Sequence, residues 1–285
     1  MTKNTKTLGY GLGAIDTIIS VDDVNQQASQ LAEQAPSHEA LLALANNKPY
    51  LAINNLCAGY GNMEILHNLE LAVAKGQSLC LIGPNGAGKS TVLHAIYGFA
   101  QVHRGVILKN NVDITTLSPT KKLKQTRIAY ILQDNSVFPQ MTVAENLLMG
   151  GFLLPDQKQA KRAVDNVLQK YPRLAARHRQ LAGSLSGGER RLLEISRALI
   201  MDPDVLLVDE PSIGLEPRFI DTVFDILMEL QQSDNKTIIM VEQNAKKGLE
   251  FADIGYVLVS GQVALAGRAD ELLQQPEVGR LFLGG

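Results

Sequence analysis

Residues 83–91 read GPNGAGKST, in which Gly83 is followed after four residues by Gly88, Lys89 and Ser90. Residues of these types at this spacing suit phosphate chemistry. Glycines at 83, 86 and 88 let successive backbone N–H groups turn inward around phosphate oxygens. An apolar run, SLCLIG, precedes the stretch and a helical pattern follows it. A helix that begins here adds the partial positive charge of its N-terminus. Lys89 can then reach the outer phosphates, and the Ser90 hydroxyl can ligand Mg2+. Asn85 and Thr91 fall in the same stretch as further candidate contacts.

Two carboxylates, Asp209 and Glu210, close the apolar run of VLLVDEP, residues 205–211. Alone, such a pair reads as the solvated end of a strand. Downstream of a phosphate loop, Asp209 is placed to hold Mg2+ through water and Glu210 to orient or deprotonate an attacking water. LSGGE, residues 185–189, opens an amphipathic helical run, RRLLEISRALI. Ser186 is the expected N-cap, and Gly187 and Gly188 leave backbone N–H groups bare for close approach. A third stretch, TIIMVEQNA at 237–245, ends a buried apolar run on Glu242 and Gln243, both expected to emerge at the end of a strand.

Strands and helices must carry these groups. YLAINNLCAGYG and LHNLELAVAKGQ alternate apolar and polar residues, as half-buried antiparallel strands do. SLCLIG, RIAYIL, DVLLVDE and TIIMVE are continuously apolar, which suits strands covered on both faces of a parallel sheet. Helical spacing aligns Ala160, Val164, Val167, Leu168 and Tyr171, and again Phe219, Val223, Ile226, Leu227 and Leu230. YVLVSGQVALAG reads as a hairpin turning at Ser260–Gly261. The expected fold is α/β, with an antiparallel β-rich N-terminal lobe from residue 50 and a helix-rich insert around 118–200. Residues 1–49 differ in composition and are read as an extension, mobile or partly helical.

Bulk properties exclude some classes. The 285 residues carry a formal net charge of −2, without the basic excess of a sequence-independent nucleic-acid binder. No apolar run approaches the roughly 20 residues of a membrane span. The first residues lack the unbroken apolar core and small-residue cleavage site of a signal peptide. Cys57 and Cys80 are too far apart in sequence and too few to suggest a metal or disulfide framework, so buried thiols in a reducing cytoplasm are expected.

The ordered set of GPNGAGKST, Gln133 after RIAYIL, LSGGE, VLLVDE and the strand ending at Gln243 resembles the nucleotide-binding subunit of ATP-binding cassette (ABC) transporters. The likeness covers about residues 51–285 and implies a P-loop ATPase core that binds ATP and Mg2+. It implies head-to-tail pairing, with Ser186, Gly187 and Gly188 contacting the γ-phosphate bound to the other copy. It also assigns Tyr60, in AGYG, to stacking on adenine, and Gln133 to Mg2+ or the lytic water.

Two positions depart from the pattern. Glu216 in PSIGLEP stands where an aspartate is usual, and, against the importer group named below, GERR also replaces a glutamine-rich run. Gln243 stands where most such ATPases carry histidine. A glutamine amide donates a hydrogen bond to a phosphate oxygen but cannot become cationic, which leaves the base role to Glu210.

VEQNA, VFPQMTVAENLLMGGFL, YPRL and the ending RLFLGG are similar to the ATPases of branched-chain (hydrophobic) amino-acid importers. That resemblance implies an ATPase peripheral to the cytoplasmic face of the inner membrane. Separate permease subunits and, indirectly, a solute-binding protein would be its partners. A sister ATPase subunit is expected in a heterodimer, with a homodimer as the alternative. Other readings are a urea or amide importer, another ABC transporter, or a nucleotide switch outside transport.

Overall fold

The computed structural model describes residues 35–133 and 136–282. The expectation of a mobile or partly helical extension falls, for residues 1–34, outside the described residues. Helix α1 (His38–Leu44) begins at Ser37, whose Oγ accepts from the Ala40 N–H at 3.2 Å. Strands β1 (Pro49–Tyr60) and β2 (Met63–Ala74) form an antiparallel pair. Then come β3 (Ser78–Ile82), α2 (Lys89–Tyr97), β4 (Gln101–Lys109), β5 (Val112–Asp113), α3 (Pro119–Thr126) and β6 (Ile128–Ile131).

A run of helices follows: α4 (Val143–Gly150), α5 (Gln157–Lys170), α6 (Pro172–Ala175) and α7 (Gly187–Leu199). The chain continues through β7 (Val205–Asp209), α8 (Pro217–Gln232), β8 (Thr237–Val241), α9 (Ala245–Phe251), β9 (Ile254–Val259) and β10 (Gln262–Arg268). Helices α10 (Ala269–Gln274) and α11 (Pro276–Phe282) close it.

Two sheets result, in an α/β architecture. One is antiparallel, in the order β2-β1-β4-β5. The other runs β10-β9-β3-β8-β7-β6, parallel except for the β9–β10 hairpin. Period-two alternation explains why the central strands are apolar throughout. Leu79 and Leu81 of β3 belong to the core shared with β1, β2 and α2, whereas Cys80 and Ile82 belong to the core on the other face, which includes Val223, Phe224 and Leu227 of α8. Each fully buried aliphatic side chain contributes about 1.5–3 kcal/mol, so a polar residue on either face of β3 is costly. Both cysteines are buried free thiols.

A third core forms among α4, α5 and α7, from Val143, Leu147, Val164, Val167 and Leu193. The helix-rich stretch expected at 118–200 contains β6, the edge strand of the parallel sheet. Its four-residue span is short, but register with β7 from Ile128↔Val205 to Ile131↔Val208 ties it to the sheet.

Helix α2, which follows the phosphate loop, is held at its far end by a buried lysine. Lys122 of α3 donates from Nζ to the carbonyls of Ala95 (3.2 Å) and Ile96 (2.6 Å). Burial lowers its pKa from 10.5 to about 8, against a smaller opposing effect of Asp113. Between these two values the unfolded chain holds a proton that the folded chain has released, so stability rises with pH across that window and is flat below it. From pH 8 to pH 10 the wild type is expected to gain on the order of 2 kcal/mol relative to Lys122→Met. Urea denaturation of both proteins at several pH values measures this. The same pH slope in both would remove Lys122 as its source.

Candidate functional site

Strand order brings the candidate residues to one rim of the parallel sheet. Asp209 of β7 pairs in register with Val241 of β8, and Val241 pairs with Leu81 of β3. The loop after β3, the carboxylates after β7 and the Glu242–Gln243 corner after β8 therefore leave the sheet side by side. Open α/β sheets gather ligands at the carboxyl ends of their strands.

The loop from Gly83 is built for close approach. Gly83 has φ +145°, and a Cβ there would lie 2.2 Å from the Leu258 carbonyl oxygen, so a larger residue would displace β9. Lys89, 6% exposed, donates from Nζ to the Gly83 carbonyl at 2.9 Å and to the Pro84 carbonyl at 3.0 Å. Burial pulls its pKa below the ordinary lysine value, while the charges of Glu210 and Asp209 act in the opposite direction. A buried ammonium satisfied by neutral carbonyls is primed to accept an anion. Tyr60, Ile65, Asn85, Gly86, Gly88, Lys89, Ser90, Thr91 and Glu210 line an open cleft of about 300 Å³.

Asp209 lies just beneath, 4% exposed. Its Oδ1 accepts from Ser90 Oγ at 3.0 Å, and its Oδ2 accepts from the Tyr130 hydroxyl at 2.7 Å. Burial, followed by the charge of Asp209, holds the Tyr130 phenol well above its usual pKa, so it stays a donor. Glu210 takes φ +42°, in the left-handed region, with its N–H bonded to the Val241 carbonyl at 2.8 Å. Such a conformation in a non-glycine residue is costly and is found at sites where a side chain must be aimed. Its Oε2 accepts from Gln133 Nε2 at 2.7 Å.

Ser90 hydroxyl, Asp209 carboxylate and the Gln133 amide are all hard oxygen donors, and two of them already meet at 3.0 Å. This donor chemistry fits Mg2+, which binds through one or two carboxylates together with phosphate oxygens and waters. Among the described residues there is no group of three His, Cys, Asp or Glu able to hold a metal without such help.

Tyr60, 44% exposed, ends β1 at the mouth of the cleft. Its hydroxyl lies 2.5 Å from His94 Nδ1, and the two rings meet edge-on with centroids 6.1 Å apart. Burial lowers the His94 pKa, so this ring is neutral near pH 7. His94 in turn packs against Tyr130 and Phe99. Neither His94 nor Tyr130 was singled out from the sequence. A signal existed, since His94 lies four residues beyond Ser90 and so shares its helix face.

Ser186 caps α7 as expected, within a capping box in which the Glu189 carboxylate accepts from Ser186 N at 3.0 Å and Ser186 Oγ at 2.9 Å. Gly188 packs so closely that a Cβ would lie 2.4 Å from Phe219 Cδ1. Ser186, Gly187 and Gly188 do not line the cleft, and neither does the exposed Gln243. One turn into α7, the buried Arg191 joins three segments. Its Nη1 donates to the Leu132 carbonyl (2.7 Å) and to Glu194 Oε2 (2.7 Å), and its Nη2 contacts the Asp209 carbonyl at 3.4 Å. The arginines of GERR thus have a local explanation at position 191, where Glu194 supplies the countercharge. Glu242, expected to emerge from its strand, is instead 1% exposed. The sheet covers it because α9 folds straight back, with Gly248 against the Glu242 and Cys80 side chains.

Residues 66–213 match the ABC transporter family. The chain is 40% identical over 229 residues to a probable branched-chain amino acid transport ATP-binding protein LivF of Archaeoglobus fulgidus, covering 80% of this chain and 96% of that one. It is 39% identical to the high-affinity branched-chain amino acid transport ATP-binding protein BraG of Pseudomonas aeruginosa, covering 82% of this chain and all of that one. Its fold is similar to the ADP conformation of an ATP-binding cassette of an ABC transporter, with TM-score 0.74, 29% identity, and coverage of 83% and 99% of the two chains.

Proposed function

The chain belongs to the ABC transporter family as an ATP-binding ATPase, and we propose that it energises import of branched-chain or other hydrophobic amino acids. The observation that carries this is the gathering of Lys89, Ser90, Asp209 and Glu210 on one sheet rim, in a chain whose relatives are named for that transport.

In this mechanism Tyr60 stacks on adenine, its hydroxyl anchored by His94. Backbone groups of Gly83, Asn85, Gly86 and Gly88, with Thr91, surround the phosphates, and Lys89 turns from its two carbonyls to the β- and γ-phosphates. Ser90, Asp209 and Gln133 would hold Mg2+, which when bound neutralises phosphate charge. Glu210 accepts the proton of the attacking water, with Gln133 orienting it. Gln243 donates its amide hydrogen to the γ-phosphate and, lacking a titrating group, leaves base catalysis to Glu210.

Ser186, Gly187 and Gly188 complete the site of a second ATPase subunit in a head-to-tail pair. The position of this turn, on the flank of Phe219 and away from the cleft of its own chain, supports that reading. A sister subunit is the proposed partner. No described helix is long and apolar enough to cross a membrane. Separate permeases are the proposed route for the solute, and the ATPase is proposed to sit peripherally at the cytoplasmic face. Glu216 keeps the carboxylate of the usual aspartate and pairs with Arg218 at 2.9 Å.

Transport by cells of the source organism tests the substrate. Deleting the gene is expected to abolish saturable uptake of labelled leucine, isoleucine and valine while urea uptake persists. Wild-type chain restores it and Glu210→Gln does not. Loss of urea uptake with leucine uptake unchanged would move the assignment to the amide importers.

A further inference from the structure

The first residue beyond β8 is a buried carboxylate with an unusual set of partners. Glu242 Oε1 accepts from Ser212 Oγ at 2.7 Å and from the Asn244 N–H at 2.9 Å, and its Oε2 accepts from the Ser212 N–H at 3.3 Å. Among the described residues it forms no ion pair. A carboxylate 1% exposed and without a countercharge is costly, and it persists only where several donors are held in place around it. Here all three donors come from two short segments. Ser212 lies two residues beyond Glu210, and Asn244 directly follows Gln243.

We propose that Glu242 is a positioning residue for hydrolysis, clamping the loop after Glu210 to the corner that carries Gln243. The inference rests on the hydrolytic roles proposed above for Glu210 and Gln243. Gln243 is exposed and its amide has no hydrogen-bond partner among the described residues, so its direction is set by the backbone on either side. On one side the Glu242 N–H reaches the Leu81 carbonyl at 3.4 Å, and its carboxylate grips Ser212. On the other, Asn244 is held twice, by Glu242 through its N–H and by the Lys247 N–H donating to its Oδ1 at 3.1 Å.

The clamp also has a far end. Beyond Ser212 the same loop reaches Leu215, whose Cδ2 lies 3.6 Å from where a Cβ on Gly187 would stand. It then enters α8, where Phe219 packs beneath Gly188. The Gln243 corner, the Glu210 loop and the LSGGE turn are therefore joined through one carboxylate and one loop of the same chain. A γ-phosphate that pulls Gln243 into contact displaces Ser212 through Glu242, and the loop passes that shift to the turn presented to the partner subunit.

Steady-state ATP turnover of the full-length protein paired with its sister ATPase subunit tests this, with Glu242→Gln, Gln243→Ala, their double variant and Ser212→Ala introduced in this chain. The amide of Glu242→Gln keeps the volume but sets an N–H2 against donors. Its kcat is expected to fall about tenfold with KM for ATP within about twofold, because misplacement of a contacting group acts on the transition state and leaves the adenine and P-loop contacts intact. The double variant is expected to be no slower than Gln243→Ala, since both act through one amide. Ser212→Ala removes only the hydroxyl donor and is expected to lower kcat about threefold at unchanged KM, which decides the matter if Glu242→Gln does not fold.

Multiplying effects in the double variant, or full turnover in Glu242→Gln or Ser212→Ala, would overturn the clamp. A wild-type pair of sister subunits without Mg-ATP turnover would instead fail the hydrolytic reading on which it rests.

Discussion

Glu210→Gln is expected to bind Mg-ATP with near wild-type affinity and to hydrolyse it about 10²–10³ times more slowly, the range lost with a positioned general base. The substitution preserves shape. Its amide oxygen can still accept from Gln133 Nε2, now 2.7 Å from Glu210 Oε2, so the loop after β6 keeps its contact. What disappears is the proposed acceptor for the proton of water. Among the described residues Asp209 is no substitute, because both of its oxygens accept hydrogen bonds from Ser90 and Tyr130, and Gln243 does not titrate. Turnover blocked after nucleotide binding should also trap the ATP-bound pair of subunits, visible as a larger species by light scattering in the presence of the sister chain. Full turnover in Glu210→Gln would show that the base is elsewhere.

Lys89→Met should fail earlier, at binding. In the wild type the Lys89 side chain is buried, its ammonium held by the Gly83 and Pro84 carbonyls and pulled below its usual pKa by burial. Phosphate oxygens would replace these weak neutral partners with charge-assisted hydrogen bonds, each stabilising by about 1.5–3 kcal/mol. Losing two such bonds corresponds to an affinity drop of about 10²-fold or more. Isothermal titration with ATP and Mg2+ measures it, and an unchanged Kd would mean that the phosphates lie outside this loop. Methionine is chosen because it fills the same buried channel without charge, so the fold is retained. Lys89→Arg is expected to bind poorly as well, since the planar fork of arginine does not fit a channel shaped for a single ammonium.

Much of this is legible in the amino-acid sequence alone. The continuous apolar runs of β3, β7 and β8 mark strands buried on both faces, and the turn at Ser260–Gly261 marks the β9–β10 hairpin. Ser186 as N-cap, the Gly83–Ser90 loop and the strand-end carboxylates follow from local rules of backbone conformation and hydrogen bonding. Such features depend on neighbours a few residues away, so the chain itself states them.

Partners distant in sequence were decided by the fold. Periodicity finds β8 but not its place between β3 and β7, which is what brings the Glu242–Gln243 corner to the same sheet rim as the phosphate loop. Tyr130 reaches Asp209 across 79 residues, and Arg191 reaches Leu132 across 59. Glu242 looked like the emerging end of a strand because its own neighbours do not reveal that α9 turns back over it. Local pattern specifies how a segment prefers to bend and which face is apolar. Which charged or polar groups lose their water, and which donors then satisfy them, depends on the order in which strands pair across the whole sheet.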